Sequence, residues 1–443
     1  MSHTDILGGR IAGLQFEAIP AEVIDKLKTC LLYGMAMAAT AGARDPLELA
    51  VHAANEAPGR ARVLASGLSR SAADAAYINA FRMCARGQND TYAHAYAHPG
   101  CIVIPAVLAL AQDRHCSGRQ VLTAMAAGYE VLAAIASGHA DAVVGRRFRA
   151  TSTFGVFAAA AAAARLLDLD ARQCAHALSL ATQHSAGTMQ CWSEGTPEWR
   201  IQVGNSARAG IICALLAGRG FPAARQALEG DSGFYQAFAG RPPVGEPGWS
   251  WQTPSVIFKP LPGCLINQAP LYLLLALQRQ HGFEASQVEG VDVWLSERNA
   301  AYPGIDRHGP FQAATGAVMS CAFMLAVGLR DRTLRMRDFQ ALHGPGAIHD
   351  LSRRVRVRAC AELPDWGARV SVRLNSGATH QDEMVEISRF GFGWAETDAL
   401  LSTMADEWPW PDGAGRYEQL KQAVAGLDRA RDIQGLVSVL CET

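Results

Sequence analysis

The apolar residues of this chain change their spacing once, near Gly240, and this change limits the possible folds more than any other feature. From Pro20 to about Gly240 they recur at three- and four-residue steps, as in Val23, Leu27 and Leu31, which is the spacing of one helix face. Alanine is abundant here, and small side chains let helices approach closely. The first half of the sequence therefore predicts a wide helical core. Its helices are predicted over 72–82, 105–112, 119–137, 153–167, 172–183 and 205–217.

Beyond residue 240 the pattern becomes that of strands. The connection over 241–249 is rich in proline and glycine, so it cannot continue a helix. Apolar and polar residues then alternate over 291–295, 354–359 and 370–374, which is typical of half-buried antiparallel strands. Turn-forming residues at 364–367 predict a hairpin between the last two strands.

Helical spacing returns from Thr397 onward, so the strand-bearing stretch, which also holds a predicted helix over 314–329, is inserted between helical parts. The sequence thus predicts a mainly α fold. We expect a large all-helical domain over 1–259 and 397–443, and a smaller α+β domain with an antiparallel sheet over 260–396.

Composition excludes several classes of partner. Forty Lys and Arg against 41 Asp and Glu leave a formal charge of -1, so we expect neither nucleic acid nor an anionic membrane as a partner. Apolar residues make up 49% and charged residues 18%, which favours buried helices or a large subunit interface. The longest apolar stretches fall short of the roughly 20 residues that span a bilayer. We expect a soluble, oligomeric protein.

The cysteines and the first residues bear on the compartment. The eleven cysteines form no CxxC pair and stand mostly within apolar runs, which argues against a disulfide framework and for a reducing compartment. The first ten residues lack the basic and then apolar segments of a secretory signal. We therefore expect a cytoplasmic location.

Common cofactor and nucleophile motifs are missing from the sequence. No GxxxxGK[ST] is present, and Gly391-Phe392-Gly393 lacks the third glycine and the preceding strand of a dinucleotide fingerprint. Neither HExxH nor GxSxG occurs. The sequence indicates no nucleotide cofactor, and it disfavours covalent serine chemistry.

One segment, residues 87–100, lies between two predicted apolar helices and is rich in side chains that can transfer protons. Asp90, His94 and His98 stand at i, i+4 and i+8, so on a helix they would align as metal ligands, but Pro99 would end that helix at the last ligand. A second interpretation is a polar turn whose Asp and His cap helix ends. General acid-base chemistry is the favoured interpretation, and we expect no metal. The segment also contains Thr91, Tyr92 and Tyr96.

An ordered set of segments resembles the MmgE/PrpD family, whose members dehydrate 2-methylcitrate, decarboxylate cis-aconitate or epimerise iminodisuccinate. The resemblance begins at Asn89-Asp90-Thr91 and His98-Pro99-Gly100, and it covers nearly the whole chain. Further matching segments are 105–111, 128–131, 151–157, 177–181, 194–196, 204–210 and 259–264. The resemblance implies a homodimer whose subunits each have a large helical domain and a smaller α+β lid. It also implies a cofactor-free site in the cleft between them.

The residues that the family uses are retained only in part. The resemblance implies catalytic roles for four retained residues: Asp90, Thr91, His98 and Lys259. Relatives carry Asp where this chain has Gly87, His where it has Arg149, Lys where it has Trp199, and often His where it has Asn267 and Gln268. Lys259 could also be a surface lysine at a linker, but its apolar neighbours Ile257 and Phe258 would desolvate it and lower its pKa.

The replaced positions bear on the substrate. Trp199 substitutes a flat apolar surface for a cation, and Arg149 can hold a carboxylate with two hydrogen bonds but cannot act as a base near neutral pH. We therefore expect a substrate less anionic than methylcitrate. The predicted substrate-binding residues are Arg149, Trp199, Arg200, Tyr92, Cys264 and Gln268.

These observations predict a cofactor-independent enzyme that moves a proton next to a carboxylate or carbonyl of a small organic acid or a derivative. A lyase of dehydratase or decarboxylase type is favoured. Epimerases, other isomerases and cyclising enzymes pass through the same enolate-like species, so they stay open as alternatives. A ligand-binding homologue without catalysis is the remaining alternative, because folds often outlive their function.

Overall fold

The computed structural model describes residues 1–41, 45–54, 58–339 and 346–441. The fold is mainly α, with a large helical part and a smaller part that combines helices with a sheet, as the sequence predicts. Within these residues no helix is long and apolar enough to cross a bilayer. All eleven cysteines are free thiols, and only Cys264 and Cys360 are not buried.

Eleven helices of the described residues precede residue 240, together with a short hairpin of β1 and β2. The helices are α1 His3–Gly13, α2 Ala21–Ala39, α3 Asp45–Ala53, α4 Ala72–Met83, α5 Gly100–Arg114, α6 Gly118–Ala136, α7 Ala140–Gly145, α8 Ala150–Leu166, α9 Ala171–Ala181, α10 Gln190–Glu194 and α11 Trp199–Gly218. The two short strands are β1 Ala61–Arg62 and β2 Ser69–Arg70.

Helix α8 lies at the centre of this part, against α6 and α11. Its alanine run, 158–164, is fully buried. A Cβ atom at Gly128 of α6 would come within 2.8 Å of the Ala158 carbonyl oxygen, and one at Gly210 of α11 within 2.3 Å of the Ala159 Cβ. The helices therefore pack at distances that only small residues permit, which confirms the interpretation of the alanine-rich stretch.

Residues 268–384 form the sheet region, which contains α12–α16 and β3–β6. Its helices are α12 Gln268–His281, α13 Glu297–Ala300, α14 Ala314–Met319, α15 Cys321–Asp331 and α16 Ala347–Ser352, and its strands are β3 Val288–Leu295, β4 Val355–Ala359, β5 Ala368–Leu374 and β6 Thr379–Met384. The helix predicted over 314–329 is divided at Ser320, whose hydroxyl oxygen accepts from Phe323 N and caps α15.

The order of the sheet is β4-β3-β5-β6, with β3 parallel to β4 and antiparallel to β5. The predicted hairpin between β4 and β5 is therefore wrong, because β3 lies between them. Strand β3 takes the central position since it buries Val288, Val291, Val293 and Leu295. The hairpin forms instead between β5 and β6, where Gly377 has φ +86°. Strand β6 is an exposed polar edge without an apolar pattern, and the sequence did not predict it.

The last helices return to the helical part. Helices α17 Trp394–Ser402 and α18 Gly413–Ala425 pack against α2, and α19 Gln434–Ser438 follows. The helical spacing that returns near Thr397 therefore belongs to helices that pack on the core of the helical part.

The connection from the helical part to the sheet region is tied down by hydrogen bonds. Ile257 pairs with Thr91 through both backbone groups, at 2.9 and 3.0 Å. Phe258 N donates to Phe390 O at 2.8 Å, and the hydroxyl of Tyr33 on α2 donates to Lys259 O at 2.8 Å. These contacts hold the backbone of Lys259 against the segment that carries His98.

Candidate active site

A cavity of about 70 Å³ lies between the helical part and the sheet region. Its walls come from the loop before α5, the start of α8, the start of α11 and the connection around Lys259. Loops of the sheet region complete it. Its polar and aromatic wall residues are Asn89, Thr91, Tyr96, His98, Arg149, Thr151, Trp192, Trp199, Lys259, Cys264, Tyr302 and Trp366.

Lys259 is buried at this cavity, with 2% of its surface exposed. Its Nζ donates to Gly87 O at 2.6 Å and lies 3.4 Å from His98 Nε2. Burial, together with the nearby cation of Arg149, lowers the pKa of Lys259 to about 8. The sequence interpretation that apolar neighbours desolvate this lysine is therefore confirmed, and the surface-linker alternative is wrong.

Hydrogen bonds determine the tautomer of His98. The Thr91 hydroxyl donates to Asn89 O at 3.1 Å, so its oxygen accepts from His98 Nδ1 at 2.9 Å. We assign the imidazole proton to Nδ1 on this network, which leaves the Nε2 lone pair facing Lys259. Burial and the nearby cations of Lys259 and Arg149 lower the pKa of His98 well below its ordinary value. His98 is therefore neutral at neutral pH.

Asp90 lies behind the cavity wall. Its carboxylate accepts from Gly100 N at the start of α5 at 2.9 Å and from the Tyr129 hydroxyl at 2.5 Å. Burial raises the pKa of Asp90 to about 6, although these two hydrogen bonds oppose the shift. The interpretation of the segment as a turn that caps helix ends is thus confirmed for Asp90, which bonds the first N–H of α5, but not for His98, which bonds Thr91 and Lys259 instead. Helix α5 begins at Gly100, five residues before its predicted start. A part for Asp90 in catalysis stays a prediction.

The helix that would align three metal ligands does not form. His94 lies in a short 3₁₀ turn, Ala93–Ala95, and Tyr96 ends this turn with φ +52° before His98 is reached. His94 points to the surface. Across the described residues no three His, Cys, Asp or Glu side chains are grouped so that they could hold a metal ion.

Arg149 is enclosed by aromatic rings. Its guanidinium carbon lies 5.4 Å from the ring centroid of Trp192 and 5.2 Å from that of Trp199, and its Nη1 donates to Trp199 O at 2.7 Å. Trp199 in turn donates from Nε1 to Thr315 Oγ1 of α14 at 3.2 Å. Neither Arg149 nor Lys259 has a carboxylate within 4 Å among the residues that the structure describes. The cavity is therefore cationic.

The predicted binding residues are divided between the wall and the protein interior. Arg149, Trp199 and Cys264 line the cavity. The other three, Arg200, Tyr92 and Gln268, do not, and each has a partner elsewhere. Arg200 donates to Ala85 O at 3.2 Å, Tyr92 is 3.4 Å from Thr253 Oγ1, and Gln268 bonds the backbone of Leu261 and Cys264.

The sequence analysis missed several wall residues. Tyr302 and Trp366 reach the cavity from loops of the sheet region, more than a hundred residues beyond the segment of His98. No periodic pattern marks them, because only tertiary folding brings those loops to the cavity. Gly87, where relatives carry Asp, also lies on the wall with φ +63°, and its carbonyl oxygen is the acceptor for Lys259.

The fold joins a helical part to a sheet-bearing part, and residues of both parts line the cavity that holds Lys259 and His98. Comparison with protein families then places the chain in the MmgE/PrpD family. Residues 6–246 match the MmgE/PrpD N-terminal domain, and residues 262–390 match the C-terminal domain.

Three relatives carry names that refer to one activity. A cis-aconitate decarboxylase from Aspergillus terreus is 27% identical over 97% of this chain and 94% of its own length. A cis-aconitate decarboxylase-like protein from Aspergillus oryzae is 26% identical over 95% of this chain and 94% of its own length. The cis-aconitate decarboxylase of Homo sapiens is 29% identical over 43% of this chain and 41% of its own length. These relatives support lyase-type activity at the level of the family.

Proposed function

We propose that this protein is a cofactor-independent lyase that moves a proton next to a carboxylate or carbonyl of a small organic acid. The observation that carries the proposal is the contact between Lys259 and His98 on the wall of a cationic cavity. A lysine with a pKa of about 8 exchanges its proton in the neutral range, as a catalytic acid or base must. His98 and Thr91 orient it.

In this mechanism Arg149 holds a carboxylate of the substrate, and the neutral amine of Lys259 removes the adjacent proton. The C–H electron pair passes into an enolate-like group, which the newly charged Lys259 stabilises. In a dehydration that pair then expels hydroxide, which takes the proton from Lys259 and leaves as water. A decarboxylation starts instead from the charged form of Lys259, because no substrate proton is removed. CO₂ leaves without the C–C bonding pair, and the charged Lys259 donates its proton to the carbanion that results.

A proton-exchange experiment tests the proposal. The protein is incubated in deuterated water with malate, 2-oxoglutarate and aspartate, which represent hydroxy, keto and amino diacids. We expect deuterium at the carbon next to a carboxylate or carbonyl in at least one acid, in excess of the buffer control, even without net turnover. Proton NMR gives the rate. No exchange with any acid would overturn the proposal in favour of a ligand-binding homologue.

The proposal includes a homodimer, a cytoplasmic location and domain limits of 1–259 with 397–443, and 260–396. The family resemblance supports the dimer, the free thiols support the compartment, and the packing of α17 and α18 on α2 supports the domain limits. Light scattering on the purified protein tests the dimer, because a monomer at micromolar concentration would contradict it.

A further inference from the structure

We infer that the substrate is a dicarboxylate that carries an apolar group at the place where a tricarboxylate carries its third carboxylate. This inference rests on the proposed function, because it takes the ligand of the cavity to be the substrate. It goes beyond that function by naming the substrate class, and the charges and the aromatic wall of the cavity support it separately.

The charges limit the number of carboxylates. Arg149 and Lys259 are the cationic side chains on the cavity wall, and no Asp or Glu is among the described wall residues. Neither cation is paired with a carboxylate of the described residues. At pH 7 Lys259, with a pKa of about 8, is mostly protonated, so each of these two cations favours one carboxylate of a bound ligand. The fraction of molecules with neutral Lys259 carries out the proton removal. Arg200 is not among the described wall residues. It donates to Ala85 O, and its guanidinium carbon lies 5.2 Å from the ring centroid of Trp199 and 6.0 Å from that of Phe81.

The aromatic wall determines what the third position accepts. The ring centroids of Trp192 and Trp199 lie 5.1 Å apart beside Arg149, and Met189 lines the cavity with these two rings. The one donor of Trp199 is already bonded to Thr315, and Arg149 Nη1 is bonded to Trp199 O. A third carboxylate bound at this wall would lose its hydration shell without gaining a further cation as partner. An alkyl group would instead gain contact with the two tryptophan rings and the thioether of Met189.

A pair of ligands of equal size separates charge from shape. Tricarballylate and 2-isobutylsuccinate share the succinate frame and have the same number of non-hydrogen atoms, but a carboxylate in the first is an isopropyl group in the second. Isothermal titration calorimetry on the intact protein measures both dissociation constants. We expect 2-isobutylsuccinate to bind at least about tenfold more tightly, because an unpaired carboxylate is disfavoured on an apolar wall. Equal or tighter binding of tricarballylate would overturn the inference.

Two variants assign the preference to the wall. Trp199→Lys should remove the preference for 2-isobutylsuccinate, and the matched control Trp199→Met should keep it, because only the first adds a cation. Circular dichroism checks folding, and Met189→Lys replaces Trp199→Lys if that variant does not fold. The inference fails if the preference is the same in the Lys and Met variants. The proton-exchange experiment tests the proposed function and does not depend on these dissociation constants. Failure of the proposed function can therefore be distinguished from failure of this inference.

Discussion

Two sides of one cavity differ in how their charged groups are satisfied. On the proton-transfer side, Thr91, His98 and Lys259 form a connected set of hydrogen bonds that ends on backbone carbonyls. On the aromatic side, Arg149 faces the rings of Trp192 and Trp199 and has a single bond to a backbone carbonyl. The hydrogen bonds of the first side set the protonation states of His98 and Lys259. The second side offers a ligand the cation of Arg149 and the apolar surface of the two tryptophan rings.

The difference between the sides also follows the family resemblance. By that resemblance, all three side chains of the proton-transfer side match the family's residues, whereas Arg149 and Trp199 of the aromatic side stand at positions for which it implies His and Lys. The proposed function therefore assigns the proton chemistry to the retained Lys259 and His98, and it assigns a changed substrate recognition to the replaced positions of Arg149 and Trp199. The predictions below test the two sides separately.

The largest effect is expected on the proton-transfer side. Lys259→Met keeps much of the buried volume but removes the amine, so proton exchange should fall by about 10²- to 10⁴-fold, as is typical of a lost acid-base group. NMR of the exchanging carbon measures the rate. Lys421→Met on the surface of α18 is the matched control and should exchange at the wild-type rate. A loss of only a few-fold in Lys259→Met would place the chemistry elsewhere.

The aromatic side predicts poor turnover of tricarboxylates. Decarboxylation of cis-aconitate and dehydration of 2-methylcitrate should run about 10²-fold or more below rates usual for enzymes, because several family acid-base and cationic positions are replaced. Product NMR measures both. Turnover at ordinary enzyme rates would contradict the assignment of Arg149 and Trp199. The double variant Arg149→His with Trp199→Lys should bind tricarboxylates more tightly than the wild type if these side chains line the binding space.

A smaller effect is expected from the residue that orients His98. Thr91→Val keeps the shape but removes the acceptor for Nδ1, so His98 is no longer held as one tautomer. Exchange should fall about tenfold, and stability by about 1–3 kcal/mol, because two buried hydrogen bonds are lost. Thr403→Val at the exposed end of α17 serves as control. Wild-type exchange in a folded Thr91→Val protein would show that the tautomer does not matter.

No effect is expected from removing metals. A catalytic zinc needs three protein ligands that converge, and Asp90, His94 and His98 do not converge, because the first caps α5 and the second points to the surface. Exchange should therefore be unchanged after dialysis against EDTA. Loss of exchange that zinc or iron restores would contradict this prediction, and stoichiometric metal in the purified protein would point the same way.

The two sides also differ in how far the sequence could predict them. Helix limits were predicted to within a few residues wherever the apolar spacing was regular, as in α4 and α6. The resemblance pointed to His98 and Lys259, and the apolar neighbours of Lys259 indicated its lowered pKa. Partners that are distant in the sequence were not predictable. The place of β3 between β4 and β5, and the arrival of Tyr302 and Trp366 at the cavity, depend on tertiary packing.

The most direct test of the account is the pH dependence of proton exchange, measured as loss of deuterium from a deuterated diacid into ordinary water. The amine of Lys259 is the base only when it is unprotonated, so the rate should rise with pH through a midpoint of about 8. His98 stays neutral over this range, so it should add no further transition. The transition should be absent in Lys259→Met. A midpoint near 10.5, the ordinary lysine value, or an unchanged profile in the variant would contradict the account.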